Sequence, residues 1–453
     1  MAIAYDTYQC ESPARLPLLV ADDPERVIVW RDHGPVTARQ FLAHVHAVAE
    51  TLPVATAAVN LCEDRYAFLV AFCALVSRGQ INLLPPSRAP RAVDEVMAVH
   101  AGCYALGEQA LAVSPRGYRR LPPLDVVVPS ADDFVWPSVP ANQVVAIGYT
   151  SGSTGAPGAN AKRWGSLQTS TASNLAMLRA VTGTSFTVVA TVPPQHMYGL
   201  EMSVLLPLLG GVSVHAGRPF FPADIAAALT EVAAPRVLVT TPVHLRALVE
   251  SQIQLPPLLA IVSATAPLPV TLAQAAERRF SAPMLEVFGS TETCVFASRR
   301  PTQTETWSLY PGVSLHPQPD GTAVHAPQLM APVTLADTVK LSADGRHFQL
   351  CGRQADLLEI AGKRASLADL TRRLLNVPGV QDGVMFQLGN GDGLGVQRIA
   401  ALVVAPGLEV STILAALREA MDPLFLPRPL RLVAALPRNE TGKLPRAALL
   451  KLL

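Results

Sequence analysis

The sequence predicts an α/β protein, with a large N-terminal domain of parallel-rich sheets covered by helices and a small C-terminal α+β domain. Three observations carry that expectation. Short β-branched runs alternate with helical patterns over about 200 residues, the order that builds a mostly parallel sheet with helices on its faces. After about residue 320 this texture gives way to hairpins and separate helices. Half of the 453 residues are hydrophobic, enough for a sizeable core, which excludes a disordered or fibrous chain.

Residues 26–30 (Arg-Val-Ile-Val-Trp) read as a strand, and Thr37 is placed to cap a helix whose apolar positions Phe41, Val45 and Val48 recur at helical spacing. The longest apolar run, residues 67–76, is well short of the about 18–20 residues that span a bilayer, so it reads as a buried helix. Val144–Thr150 is a near-continuous apolar strand ending in a Ser/Gly/Thr loop. Strands at 186–192 and 212–215 flank an apolar stretch at 205–209. A helix at 224–232 stops before Ala234-Pro235, because the residue preceding proline is pushed out of the α region, and a strand resumes at 236–240. Residues 337–352 read as a hairpin turning at Ala343-Asp344-Gly345, and Ser366 opens a helix in a Ser-x-x-Asp capping-box pattern. Strands at 384–387 and 399–404 and a helix at 411–421 complete a unit of about 100 residues. The domain boundary falls at residues 354–356, giving domains 1–353 and 357–453.

Thirty-six basic against 35 acidic residues leave a net charge of +1, which provides no global attraction for nucleic acid or an anionic membrane. Only 16% of residues are charged, against about 25% in an average soluble domain, so an unusually neutral surface is expected. The N-terminus has neither a basic nor an apolar leader segment, and the six scattered cysteines form no CxxC pair and no zinc spacing. A cytoplasmic protein with reduced thiols and no membrane span is expected.

Four segments carry chemistry. In Thr150-Ser151-Gly152-Ser153-Thr154-Gly155-Ala156-Pro157, glycines free the backbone to turn N–H groups toward an anion and four hydroxyls add neutral donors. That suits phosphate oxygens, with a flexible linker as the plain alternative. The Gly-Lys-[Ser/Thr] of a P-loop is absent. Val287-Phe288-Gly289-Ser290-Thr291-Glu292 presents a hydroxyl and then a carboxylate. This pair suits Mg²⁺ beside a phosphate, or equally a helix N-terminus with Glu in its first turn. The third segment runs from Asp337 to Arg353, and the last is Leu436-Pro437-Arg438-Asn439-Glu440-Thr441-Gly442-Lys443-Leu444-Pro445-Arg446.

In order and spacing these segments resemble the adenylate-forming superfamily of acyl-CoA synthetases, peptide-synthetase adenylation domains and luciferase-like enzymes. Thr150, Ser151, Gly152, Ser153, Thr154 and Gly155 resemble its phosphate loop, and Phe288, Gly289, Thr291 and Glu292 its aromatic-Gly-x-Thr-Glu motif. Asp337 falls at the ribose-binding Asp, Gly352-Arg353-x-x-Asp356 resembles the hinge motif, and Gly362-x-Arg364 resembles the loop of the thioester step. Lys443 falls at the family's lysine, the segment with His196, Tyr198 and Gly199 at the acyl pocket, and Ala264-Thr265 at the adenine-side loop.

The resemblance implies that a small carboxylic acid attacks the α-phosphate of ATP, giving acyl-AMP and pyrophosphate, after which a thiol of CoA or of phosphopantetheine displaces AMP. The first step brings two anions together and needs fixed positive charge, which Lys443 and a Mg²⁺ held by Glu292 would supply. Thr291 would contact the α-phosphate. Asp337, with two acceptor oxygens, suits both ribose hydroxyls. The resemblance further implies that the small domain is mobile and rotates about Asp356. Rotation would deliver Lys443 for the first step and the Gly362 loop for the second. His196 is expected to line the acyl pocket, although a lone His beside Met and Tyr is often a packed core residue.

The sequence departs from the pattern in places. The lysine usual after the phosphate-loop proline is Gly158, with Lys162 or Arg163 as possible replacements; the Thr-Gly-Asp is Leu335-Ala336-Asp337; and a Gly-rich pair is Ala264-Thr265. The chain looks most like short, stand-alone bacterial ligases that load aryl or fatty acids onto acyl carrier protein. No carrier domain follows Leu453, so the acceptor is expected in trans, with Arg372, Arg373, Arg428 and Arg431 as candidate docking charges. A stand-alone amino-acid adenylation enzyme is the alternative. No acidic residue stands in 181–199 to hold an ammonium, but Glu201 lies just beyond. A degenerate, non-catalytic nucleotide-binding protein is the reading from another class.

Overall fold

The computed structural model describes residues 14–20, 23–124, 136–150, 158–319, 321–353, 357–360, 363–388, 399–438, 442 and 444–453. The chain forms two compact units, Met1–Arg218 and Pro219–Leu453. The expected boundary at 354–356 lies outside the described residues.

In the first unit, Thr37 caps the helix Ala38–Thr51 through a reciprocal capping box with Gln40. The helix Arg65–Ser77 buries every residue from Arg65 to Val76, as its unbroken apolar run requires. It packs on a six-stranded sheet whose strands Ala57–Asn60, Ile81–Leu84, Tyr104–Gly107 and Val144–Thr150 run parallel. A second set in this unit pairs Thr187–Ala190, Ser213–His215 and Val27–Arg31 in parallel, with Gly34–Thr37 antiparallel at the end.

In the second unit the strands Arg236–Thr240, Ala260–Ser263 and Met284–Ser290 are parallel. Cys294–Arg299, Trp307–Leu309, His347–Arg353 and Asp337–Leu341 then continue antiparallel. The sheets are therefore mixed, with parallel strands only in part. Parallel strands need a crossover, and the short turns that join Met284–Ser290 to Cys294–Arg299, and Cys294–Arg299 to Trp307–Leu309, permit only antiparallel pairing.

The smaller C-terminal β/α region stacks Asp382–Gln387, Ile399–Val404 and Leu430–Leu432 against the helices Leu367–Leu375 and Val410–Ala420. Leu370, Leu374, Ile413 and Leu417 close this core. Ser366 caps its helix by accepting from Ala368 N (3.2 Å), but Asp369 does not reach back as a capping box would. Asp369 instead accepts from Arg372 (2.5 Å) and Arg373 (2.8 Å). Among the described residues no helix is long and apolar enough to cross a membrane, and Cys62, Cys73, Cys103, Cys294 and Cys351 are free thiols.

Candidate active site

In the first unit, Thr150 closes its strand opposite Gly158, the first residue of the antiparallel strand Gly158–Arg163. A Cβ on Gly158 would stand 3.0 Å from Thr150 Oγ1, so a larger residue there must displace that hydroxyl. Ser151, Gly152, Ser153, Thr154 and Gly155 lie outside the described residues. Lys162 stands four residues along an extended strand from Gly158, about 13 Å at 3.3–3.4 Å per residue, and it is 5% exposed. Neither Lys162 nor Arg163 is brought back to position 158 by a folded-back segment.

His196 is the N-cap of the short helix Met197–Leu200 and is half-buried, with Tyr198 and Gly199 buried behind it. A Cβ on Gly199 would fall 1.9 Å from the Pro193 carbonyl oxygen, so only glycine permits this turn. The helix continues as a π-turn over Glu201–Leu205, an irregularity often found at functional sites. Glu201 is 1% exposed and accepts hydrogen bonds from Ser170 Oγ (2.5 Å) and Asn174 Nδ2 (3.2 Å).

Arg65 ties this region together. Fully buried, it donates to the carbonyls of Ala190 (3.1 Å) and Val192 (2.7 Å), to those of His215 (3.4 Å) and Gly217 (2.6 Å), and to Ser203 Oγ (3.0 Å). Ser203 Oγ passes the contact on to the Gly199 carbonyl at 2.6 Å. One guanidinium thus fixes the ends of two parallel strands and the turn that carries His196. The edge of a parallel sheet beyond its strand carboxyl ends is where open α/β folds place ligands. Burial pushes the Arg65 pKa down to about 10, which leaves it charged at neutral pH.

In the second unit, Met284–Ser290 and Cys294–Arg299 form a hairpin whose tip is residues 291–293, so Thr291 and Glu292 are presented at a tight turn. The helix-N-terminus reading of this segment is wrong, because the chain folds back as a strand. Ser290 and Thr293 bond each other's backbone N–H and lock the tip, and Gln328 Nε2 donates to the Thr293 carbonyl at 3.2 Å. A Cβ on Gly289 would lie 2.2 Å from the Cys294 carbonyl oxygen. Phe288 packs at 5.3 Å from both Phe296 and Trp307.

Glu286, on the same strand and 3% exposed, accepts from Leu268 N (3.1 Å) and from Arg299 Nε (2.7 Å), thereby tying the end of the 263–268 loop to the hairpin. Burial pushes the Glu286 carboxyl above its usual range, while Arg299 and the Leu268 N–H pull the other way. In the 263–268 loop Ala264 is buried and Thr265 takes φ +80°. Thr265 is where the family's glycine was expected, and the backbone conformation supplies the reason.

Asp337 is half-buried and directly opposite Arg353 in the strand pair. Gly352, at φ +109°, lies against Ser366. Asp356, Gly362 and Lys443 lie outside the described residues, whereas Arg364 sits on Lys363–Ser366 opposite Glu359. Gly442, at φ +77°, is within reach of Thr265: a Cβ on it would stand 3.6 Å from Thr265 Oγ1. The residue preceding Lys443 is therefore beside the 263–268 loop. Arg372 and Arg373 are paired with Asp369, while Arg428 and Arg431 are exposed.

The model of the AMP-binding enzyme family matches residues 20–323, about two thirds of the chain. The chain belongs to the AMP-binding enzyme family. Among its relatives, a 4-coumarate–CoA ligase of Rhodobacter capsulatus is 30% identical over 298 residues, covering 66% of this chain and 74% of that protein. The o-succinylbenzoate CoA synthetase of Bacillus subtilis, solved with its acyl-adenylate intermediate, shares the fold at TM-score 0.79 and 17% identity, over 96% of this chain and 98% of that one. An anthranilate CoA ligase in complex with anthranoyl-AMP superposes at TM-score 0.76 and 17% identity, over 96% and 99%. This AMP-binding enzyme is an ATP-dependent, adenylate-forming ligase that activates a carboxylic acid, in the AMP-forming acid–thiol class.

Sequence reasoning missed Arg65, the Glu286–Arg299 pair and an ion pair between Asp382 and Arg438. Only Arg65 left a signal, as a charged residue at the head of the most apolar helix.

Proposed function

We propose that this enzyme activates an aryl or fatty acid as acyl-AMP and transfers the acyl group to the thiol of an acyl carrier protein in trans, or of CoA. The observation that carries the substrate class is the state of Glu201. The carboxylate just beyond the acyl-pocket segment in sequence is buried and engaged by Ser170 and Asn174, so it is not presented to an amino-acid ammonium. An apolar acid fits such a wall, and the identity with a 4-coumarate–CoA ligase points the same way.

In this reading the hydroxyls and N–H groups of residues 150–155 hold the β- and γ-phosphates, Thr291 the α-phosphate, and Asp337 the ribose, with Arg353 beside it. Phe288, Gly289, Ala264 and Thr265 border the nucleotide, and His196, Tyr198 and Gly199 the acid. The acid's carboxylate oxygen attacks the α-phosphorus and the bond to pyrophosphate breaks. Lys443 stabilises the charge that develops there. The thiolate then attacks the acyl carbonyl and AMP departs, with Gly362 and Arg364 lining the thiol's path. Domain alternation about Asp356 separates the two steps, and domains 1–353 and 357–453 are the moving bodies.

A half-buried carboxylate at a hairpin tip, next to a hydroxyl, fits Mg²⁺, which is commonly held by one or two carboxylates together with substrate phosphates. Glu292 would hold it, and the bound ion would neutralise phosphate charge. Exposed Arg428 and Arg431 are the docking charges that remain for an acidic carrier, since Arg372 and Arg373 are paired with Asp369, and Arg372 also with Glu305. ATP–pyrophosphate exchange across a panel of carboxylic acids tests the substrate class. Exchange with aryl or fatty acids is expected, and exchange with amino acids alone would overturn it.

A further inference from the structure

Arg438 and Asp382 are 56 residues apart and meet in a bidentate pair: Arg438 Nη2 donates to Asp382 Oδ1 at 2.8 Å and Nε to Oδ2 at 3.1 Å. Both side chains are about four-fifths shielded from solvent, at 20% and 21% exposure. Asp382 opens the strand Asp382–Gln387, and its Oδ1 also accepts from Gly383 N at 2.8 Å, so the carboxylate is fixed to the sheet. The third edge of the guanidinium is used too: Arg438 Nη1 donates to the Gly442 carbonyl at 2.8 Å. Gly442 is the residue before Lys443, and its backbone passes beside Thr265.

The geometry points to Asp382 and Arg438 as positioning residues for Lys443. A planar guanidinium with two bonds to a sheet-borne carboxylate has little rotational freedom left. Its Nη1 therefore holds the Gly442 carbonyl, one position before Lys443 in the sequence. A lysine side chain has four rotatable bonds and gains nothing in reach from a loose backbone. Holding the backbone just before it would lower the ordering cost of presenting the ammonium, leaving only the side-chain rotations to be fixed at the moment of reaction. Asp382, Arg438 and Gly442 all belong to the C-terminal region, so the clamp would travel with the lysine rather than having to re-form. Asp382 acts through Arg438, and neither side chain contacts the reacting atoms.

This inference rests on the assignment of Lys443 to adenylate formation, and its test separates the two. Five variants are compared with the full-length enzyme in two assays, ATP–pyrophosphate exchange and thioester formation from preformed acyl-AMP. Arg438→Ala is expected to slow exchange about 10- to 100-fold, the scale of a small misplacement of a reacting group, while thioester formation changes less than about twofold. Arg438→Lys keeps the charge but loses the planar fork, and recovers part of the loss. Asp382→Ala alone also slows exchange, and the Asp382→Ala, Arg438→Ala double variant matches Arg438→Ala, because the two residues form one unit. Retained thioester formation certifies that the variants are folded, and Arg438→Lys serves if Arg438→Ala is not. An equal loss in both assays, unchanged exchange, or additive losses in the double variant would overturn the clamp. Lys443→Ala is the separate control: if it retains exchange, the assignment of the lysine itself has failed.

Discussion

Gly352 and Ser366 approach so closely that a Cβ on Gly352 would stand 2.1 Å from Ser366 Oγ, the hydroxyl that caps the helix Leu367–Leu375. The strand that ends the antiparallel run and the first helix of the C-terminal region thus meet through a position where only hydrogen fits. Gly352→Ala should lower stability by about 2–3 kcal/mol, since it loses the cap, about 1 kcal/mol, and forces a side chain into a positive-φ conformation, about 1–2 kcal/mol. Thermal denaturation measures this. Combining it with Ser366→Gly should recover part of the loss, because glycine is a tolerable cap and leaves the space open.

Thr265 offers the opposite experiment. A β-branched residue at φ +80° is strained, and the strain sits in the loop that Gly442 borders. Thr265→Gly should raise stability by up to about 1 kcal/mol, whereas Thr265→Ala, which keeps the Cβ, should not. Comparing the two melting temperatures decides it. A gain with alanine would place the effect in the side chain instead of the backbone.

Arg65→Met should destabilise the first unit by about 3–5 kcal/mol, the scale for removing one partner from a buried charged network. It strands four carbonyls and the Ser203 hydroxyl that supports Gly199. Arg65→Lys should recover only part, since an ammonium lacks the fork. Urea denaturation gives the stability. A raised KM for the acid with an unchanged KM for ATP would place the effect at the acyl wall.

The acid limb of the stability curve should report on Asp369. Partial burial works against its charge, but hydrogen bonds from Arg373 and Arg372 win and hold the carboxyl below its ordinary range. A depressed folded-state pKa contributes stability that is present above the unfolded value, about 3.9, and lost as pH falls through the folded one. Asp369→Asn should therefore lower stability at pH 7 and leave it closer to wild type at pH 3. Melting temperatures across that window check the sign.

What the sequence discloses is local. The Thr37 cap, the buried helix at 67–76 and the strand Val144–Thr150 follow from neighbouring residues, and all are found. The motif segments stand out because each is a short run of neighbouring residues. The segment 287–292 admits a helix start until Cys294–Arg299 pairs back on it, which no local propensity announces. The supporting contacts are long-range: Arg65 finds acceptors 125 to 152 positions away. An arginine at the head of a helix says nothing of which carbonyls it will meet.

We propose an acid-dependent, AMP-forming reaction in two steps. A single-turnover assay with ATP labelled at the α-phosphate and a matching aryl or fatty acid tests it most directly. The label should pass to an acid-stable acyl-AMP before any thiol is added, and leave as AMP with thioester formed when CoA or a carrier protein follows. Labelled ADP, or AMP released without an acyl-adenylate, would contradict the account.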